Sequence, residues 1–593
     1  MPRRLLTRRR VLHGLGAGLV AAPAILKGLR SEASDLPSSL FTLGVMSGDP
    51  GADHVTLWTR LAPDPLNGGG MKSAPVFVRW QVARDPAMQD VIRSGSSFAL
   101  PRNGHAVRVL LRRLPSDSWL YYRFEALGEW SRVGRTRTFP GPRDRADSLR
   151  FALASCQDYE DGFYPAWRDI AQQDLDFVVH VGDYIYEGAA DSTPTAPGRM
   201  HNGPEVFSVE DYRNRYALYR LDRDLQEAQA RFPLIHTPDD HEVDNNFAGR
   251  LAEEDAPFQG DDFLERRRNA YRVLAESMPY GPGIGRSLGR GPIRLFRRLD
   301  FGDLASFFVL DTRQFRSDQP AEDGFGSTDP DSLAIEPVFD EAIFDPAIDA
   351  PEATLLGGLQ ERWLKWGLGR SRAHWNVLAQ QVLMTEWNLV ATARATIELD
   401  PEIPPEQKEQ ILPLIDRVDQ VLNVDAWDGY RAARERIFRV LESRRPSNPV
   451  VLTGDIHSAW GSNLLQDFAA PDSDLLAAEF VCTSISSGFG GGDPRPTDFV
   501  VKRGLAGTNP QIEFFNGLFR GYCLCELDRR RWRTTYRSVG TLADAANTAD
   551  PRALVPRADS PVVTDAVLEI ESGFNRPGSD KRLTTTFSQL PAS

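Results

Sequence analysis

From Phe41 to about Thr138 short alternations of apolar and polar residues recur, and beyond them continuous apolar runs are separated by helical periodicities. Residues 55–59, 76–82, 106–110 and 119–126 alternate with period two and have turn residues between them. Such strands bury one face each, so residues 40–140 predict a small Ig- or fibronectin-like β-sandwich. The Pro, Gly and charge-rich stretch 139–147 marks a boundary. Beyond it, apolar runs at 151–156, 177–181, 304–310 and 450–453 alternate with helical patterns at 163–174, 263–277, 355–372 and 427–443. That alternation predicts an α/β domain over residues 148–593, although periodicity does not distinguish one sheet from two packed sheets.

Two polar excursions interrupt this second domain: an acidic, proline-bearing stretch at 318–351 and a glycine-rich one at 280–292. Neither has P-loop or EF-hand spacing, so both read as surface connections. A further flexible segment, 486–493, follows the apolar strand at 480–482 and is expected at the rim of a site.

The chain begins with an address. Thr7-Arg8-Arg9-Arg10-Val11-Leu12-His13 precedes a small-residue apolar stretch ending at Leu26, the pattern of a twin-arginine signal. At roughly 16 residues the stretch falls short of the ~20 that span a bilayer, so residues 1–34 read as a removable signal peptide rather than an anchor. Ala22-Pro23-Ala24 offers one cleavage site, and the stretch from Ser31 to Ser34 another. The expectation is export by the twin-arginine machinery to the periplasm or beyond, with no stable membrane anchor.

Composition narrows the classes. A chain of 593 residues suits two or more domains with real cores. Its net charge of -13 offers no basic surplus for nucleic acid, so no nucleic-acid partner is inferred. Cys156, Cys482, Cys523 and Cys525 are too few for a disulfide framework. Cys523 and Cys525 occupy alternate positions of an expected strand and read as core rather than as metal ligands.

The chemistry lies at the ends of the apolar runs. Cys156 closes the first, Asp183 and Tyr186 follow the second, Asp240, His241 and Glu242 follow residues 233–236, and Asp455 and His457 follow the fourth. Each motif alone is weak. Together they place a thiol, a phenol, carboxylates and imidazoles after successive strands, which is what a polynuclear metal site requires. An aspartate can bridge two cations, and a tyrosine three residues on can turn its oxygen to the first, which is the spacing of Asp183 and Tyr186. Thiolate, phenolate, carboxylate and imidazole suit Fe³⁺, whereas Asp183, Asp240 and Asp455 give a second position only oxygens, favouring Ca²⁺. One thiolate, one phenolate and three carboxylates balance one Fe³⁺ plus one Ca²⁺, and a Zn²⁺ pair is the rival assignment.

In these motifs the chain resembles the PhoD-type alkaline phosphatases and phosphodiesterases of the metallophosphoesterase superfamily. The likeness rests on the twin-arginine leader, Gly44-Val-Met-Ser-Gly-Asp-Pro50, Ala154-Ser-Cys-Gln157, Val181-Gly-Asp-Tyr-Ile-Tyr-Glu187, Asp239-Asp-His-Glu-Val-Asp-Asn-Asn246, Asp311-Thr-Arg-Gln314 and Leu452-Thr-Gly-Asp-Ile-His-Ser458. It implies an α/β/β/α sandwich, iron held by Cys156, Asp183, Tyr186 and His457, and calcium held by Asp183, Asp240 and Asp455. A second calcium described for the family has no assignable ligands here. Asp244 replaces the glutamate expected in this pattern.

The function expected is hydrolysis of small phosphate monoesters by attack of metal-held hydroxide on phosphorus, releasing inorganic phosphate. His241 is placed to contact phosphate or protonate the leaving oxygen, or else only to orient Asp240; Glu242 supports. Arg313 is a candidate for phosphate contact, with a salt bridge as the alternative. A phosphodiesterase or phospholipase D-like enzyme using the same metals is the alternative activity, and an exported binding protein with a dead second domain a more distant one. No Gly-x-Ser-x-Gly turn supports a serine hydrolase.

Overall fold

The computed structural model describes residues 39–253, 256–281, 284, 293–319, 349–399, 403–415, 423–489, 494–505, 508–540 and 554–588. The expected twin-arginine leader at 1–34 lies outside these, as do most of the acidic stretch 318–351, most of the glycine-rich stretch 280–292 and residues 490–493 of the expected rim segment.

Two sheets face each other at the centre. In the ten-stranded sheet, Ser148–Ala154, Phe177–His180 and Leu234–His236 run parallel. Gly521–Asp528, Arg531–Val539, Val562–Glu571 and Thr584–Ser588 continue it antiparallel on one side. The seven-stranded sheet has a parallel centre of Ala305–Val309, Trp375–Ala379, Pro449–Thr453 and Leu475–Val481.

Both central sheets are buried on two faces, which is why their strands read as continuous apolar runs. One face meets the other sheet: Phe151, Leu153, Phe177 and Val179 pack against Phe307, Val309, Val377, Val450, Leu452 and Phe480. Phe151 stacks on Phe177 with ring centroids 5.2 Å apart and meets Phe307 edge-on at 5.4 Å. Cys523 and Cys525 lie in this same core, as their alternate positions lead one to expect.

The opposite faces carry helices. Trp167 and Ile170 of Pro165–Gln172, Tyr212 and Tyr216 of Val209–Arg220, Leu225 of Arg223–Arg231 and Val273 of Gly260–Ser277 cover Ala152, Val178 and Leu234. Leu364 of Gly357–Leu368 and Ile437 and Leu441 of Arg431–Arg444 cover Phe308, Leu378 and Val451. The layers are therefore α/β/β/α.

The N-terminal region is β-rich, with Val78, Val82, Tyr122 and Phe124 packed on Val55, Leu57 and Val107. One of its two layers is not separate. Val45–Gly48 pairs parallel to Leu234–His236 at Gly48 and Leu234, so Val45–Gly48, Val55–Arg60 and Ala106–Leu111 extend the ten-stranded sheet.

Candidate metal centre

The expected ligands sit where parallel strands end, the crevice at which open α/β sheets bind ligands. Cys156 lies just past Ser148–Ala154, and Asp183 and Tyr186 follow Phe177–His180. Asp240 and His241 follow Leu234–His236, and Asp455 and His457 follow Pro449–Thr453. The turns are sharp. Cys156, Asp183, Asp455 and His457 all adopt left-handed backbone, with φ of 54°, 55°, 66° and 54°. Non-glycine residues hold that conformation at a cost of about 1–3 kcal/mol each, and such strain clusters at functional sites.

Glycine precedes both strained aspartates for a steric reason. A Cβ on Gly182 would come within 2.6 Å of the Asp239 backbone nitrogen, and one on Gly454 within 2.6 Å of Ser155 Oγ. The strand ends can thus approach closely enough to bond across: Cys156 N–H donates to Gly182 O at 3.1 Å and Thr237 N–H to His180 O at 3.0 Å.

Three overlapping donor groups result. Cys156, Asp183 and His457 place one donor atom each within 4.8 Å of one another, as do Asp183, Asp240 and His241, and likewise Asp239, Asp240 and Asp455. Tyr186 joins the first group, its hydroxyl donating to Asp183 Oδ2 at 3.2 Å and lying 3.0 Å from His457 Nε2. All six expected ligands therefore converge.

The donor set fits cations. Asp183 Oδ1 and Asp239 Oδ2 are buried without a hydrogen bond, a state that a carboxylate keeps only at large cost unless a positive ion meets it, and Asp240 Oδ1 has only Arg313 Nη2 at 3.5 Å. His457 donates from Nδ1 to Gly488 O at 2.8 Å, which fixes the tautomer and leaves the Nε2 lone pair toward Tyr186 and the thiol side.

Supporting residues hold the turns. Glu242, fully buried, accepts from Tyr184 N–H at 2.8 Å, Asp239 N–H at 2.8 Å and Asp183 N–H at 3.1 Å, tying two ligand loops to one carboxylate. Glu187 bonds His241 Nδ1 at 2.7 Å and accepts from Asn245 N–H at 2.8 Å, while the His241 ring stacks on Tyr186 with centroids 4.1 Å apart. Ser487 donates to the Tyr186 hydroxyl at 2.8 Å, placing the start of the expected rim segment, residues 486–489, at the site. Asp244, the replacement in the family pattern, bonds Arg266 at 2.8 Å.

Of the two alternatives for Arg313, the geometry favours the salt bridge. The residue is completely buried, and its guanidinium spans Asp239 at 2.5 Å, Asp425 at 2.7 Å and Asp455 at 3.0 Å, with Asp240 at 3.5 Å. Each guanidinium nitrogen faces a carboxylate, so Arg313 is the salt-bridge residue of the two alternatives rather than a phosphate contact.

Electrostatics follow from burying acids together. Burial pushes Asp183 well above the usual carboxylate range and Cys156 and Tyr186 above theirs. Burial, helped by Asp425 and Asp240 against the pull of Arg313, raises Asp455 to about 7. Asp240 goes the other way: burial is outweighed by Arg313, His241 and the Asn246 N–H, lowering it to about 2. Burial also opposes charge on His241, but Glu187, Asp240 and Asp183 outweigh it and hold the imidazole well above its ordinary value. His457, lowered by burial to about 4, is a neutral donor.

Sequence reasoning missed Asp239, Glu187 and Asp425. Asp239 was visible as the neighbour of Asp240, and Glu187 as the end of the quoted Val181–Glu187 motif; Asp425 carried no local signal.

Comparisons with known proteins identify the family. Residues 151–536 match the family described as PhoD-like phosphatase, and residues 28–140 match the PhoD-like phosphatase N-terminal domain. Alkaline phosphatase D of Bacillus subtilis (strain 168) is 41% identical over 546 residues, covering 91% of this chain and 85% of that protein. The solved structure of PhoD superposes with a TM-score of 0.76 at 38% identity, covering 93% of each chain. The chain belongs to the PhoD-like phosphatase family, hydrolases of phosphoric esters.

Proposed function

We propose that the chain is an exported, metal-dependent alkaline phosphatase that hydrolyses small phosphate monoesters and releases inorganic phosphate. The observation that supports this most is the meeting of six expected ligands from four strand ends, with carboxylate oxygens left unbonded among them. Cys156, Asp183, Tyr186 and His457 would hold Fe³⁺, because a thiolate and a phenolate favour a highly charged transition ion. Asp183, Asp240 and Asp455 would hold Ca²⁺, and the position of Asp239 adds a further oxygen on that side. When bound, the ions neutralise charge on the phosphoryl oxygens and acidify the water that attacks phosphorus.

The chain's own residues do the rest. Asp183 is shared by two donor groups, so it would hold both ions. Glu242 fixes that aspartate through its backbone N–H, and Arg313 bridges Asp239 and Asp455 while neutralising part of their charge. His241 keeps 20% of its side chain exposed, and Glu187 engages its Nδ1, leaving Nε2 to give a proton to the departing alcohol.

Export is inferred from the Thr7–His13 pattern and is tested by replacing Arg8 and Arg9 with lysine, which should strand the protein in the cytoplasm. The activity is tested by comparing aryl phosphate with bis-aryl phosphate on the purified, metallated protein. Faster turnover of the monoester is expected; a strong preference for the diester would assign the phosphodiesterase reading instead.

A further inference from the structure

We infer that Arg520 binds the phosphoryl oxygens of substrate and product at the His457 side of the centre, an inference that rests on the phosphatase reading above. Nine arginines are buried among the described residues: Arg60, Arg199, Arg215, Arg220, Arg266, Arg313, Arg316, Arg434 and Arg520. The first eight all donate hydrogen bonds, for example Arg60 to Gly104 O, Arg199 to Asp222 and Arg434 to Asp428. Arg520 is 2% exposed, yet its Nε and Nη1 have no partner.

Its place in the fold links it to the centre. Gly521 N–H donates to Ser484 O at 2.7 Å, and Thr483 Oγ1 bonds both Phe519 O at 2.8 Å and His457 O at 3.1 Å, so the chain on either side of Arg520 is pinned to the His457 turn. The turn that follows Ser484 carries Ser487, on the Tyr186 hydroxyl, and Gly488, on His457 Nδ1. Burial disfavours the charge of Arg520, and the nearby Asp161 carboxylate favours it. Asp161 nonetheless forms no ion pair with Arg520, and its Oδ2 accepts from Gly488 N–H at 2.8 Å.

A buried guanidinium without a partner is costly, by several kcal/mol before relaxation. Arginine neither loses its proton nor ligates metal, so the charge can be met only by an anion. Its planar fork matches a phosphoryl group, and the reaction of the neighbouring centre brings one with every turnover. Arg313 cannot serve, because carboxylates occupy it on all sides. Arg520 thus supplies the cation that the sequence reading sought at Arg313.

The test compares wild type with Arg520→Met and Arg520→Lys, all metallated, by three readouts: KM and kcat for an aryl phosphate, inhibition by inorganic phosphate, and thermal unfolding with and without phosphate. Arg520→Met should raise KM and the phosphate inhibition constant by about tenfold or more while metal content stays that of wild type. Without phosphate its Tm should equal or exceed that of wild type, since an unpaired buried charge has gone, and the phosphate-induced rise in Tm should shrink. Arg520→Lys should recover part of the phosphate affinity. A phosphate response in Arg520→Met equal to that of wild type would overturn the inference, as would a Tm loss without any change in phosphate affinity. The two readings fail separately: an inactive wild type whose Tm still rises with phosphate through Arg520 removes the hydrolytic reading alone, whereas an active wild type with an Arg520-independent phosphate response removes only this one.

Discussion

The two sides of the centre solve opposite problems. Around Cys156, Tyr186 and His457, neighbours fix each donor: Gly488 O takes the Nδ1 proton of His457, and Ser487 tethers the Tyr186 hydroxyl. Around Asp239, Asp240 and Asp455 the donors are surplus charge, and Arg313 lies among them as an internal counter-ion. The first side is ordered by hydrogen bonds and, on the function proposed above, would select a metal by ligand type. The second is ordered by electrostatics and would accept a hard cation by charge. Asp183 belongs to both, which makes it the residue on which the division depends.

That division predicts unequal responses. Asp183→Ala should remove both cation positions and lower kcat/KM for aryl phosphate by at least about 10³-fold. Cys156→Ala, by contrast, should deplete iron while calcium remains measurable. If Asp183→Ala kept substantial activity, the shared position would be misassigned. Arg313→Met should come next in severity, since it leaves buried carboxylates uncompensated at a cost of about 3–5 kcal/mol. Added calcium should recover part of the lost Tm by binding those same oxygens, and a calcium-insensitive Tm would break the contrast between the two sides.

Smaller effects test the supports. Glu242→Gln weakens the acceptor that ties the Asp183 and Asp239 backbones, and metal affinity or activity should fall by about 10–100-fold, read by metal titration. Ser487→Ala should cost least, about 0.5–1.5 kcal/mol, and should shift the visible absorption of a ferric phenolate while leaving calcium unchanged. A Ser487→Ala protein with altered calcium content would blur the boundary between the sides.

Much of this was legible from sequence because the central strands are buried on two faces. The expected helix at 163–174 is Pro165–Gln172, that at 263–277 lies within Gly260–Ser277, and that at 427–443 falls on a short 3-10 turn followed by Arg431–Arg444. The helix Val209–Arg220 escaped notice because its inward face carries Tyr212, Arg215, Tyr216, Tyr219 and Arg220, so burial there does not read as hydrophobicity. The extension of the ten-stranded sheet by Val45–Gly48 depends on a single parallel register with Leu234, which no local period encodes. The same holds in the site: Cys156, Asp183 and His457 announce themselves at strand ends, whereas Arg313 in its cage of acids and Arg520 without one differ only in tertiary surroundings.

The central claim is that ligands from four strand ends hold two different cations. Elemental analysis of the purified mature protein, with its visible spectrum, tests that most directly. The account predicts iron and calcium together in a coloured enzyme, with iron and colour lost in Cys156→Ala. A colourless, fully active protein containing zinc and neither iron nor calcium would contradict it.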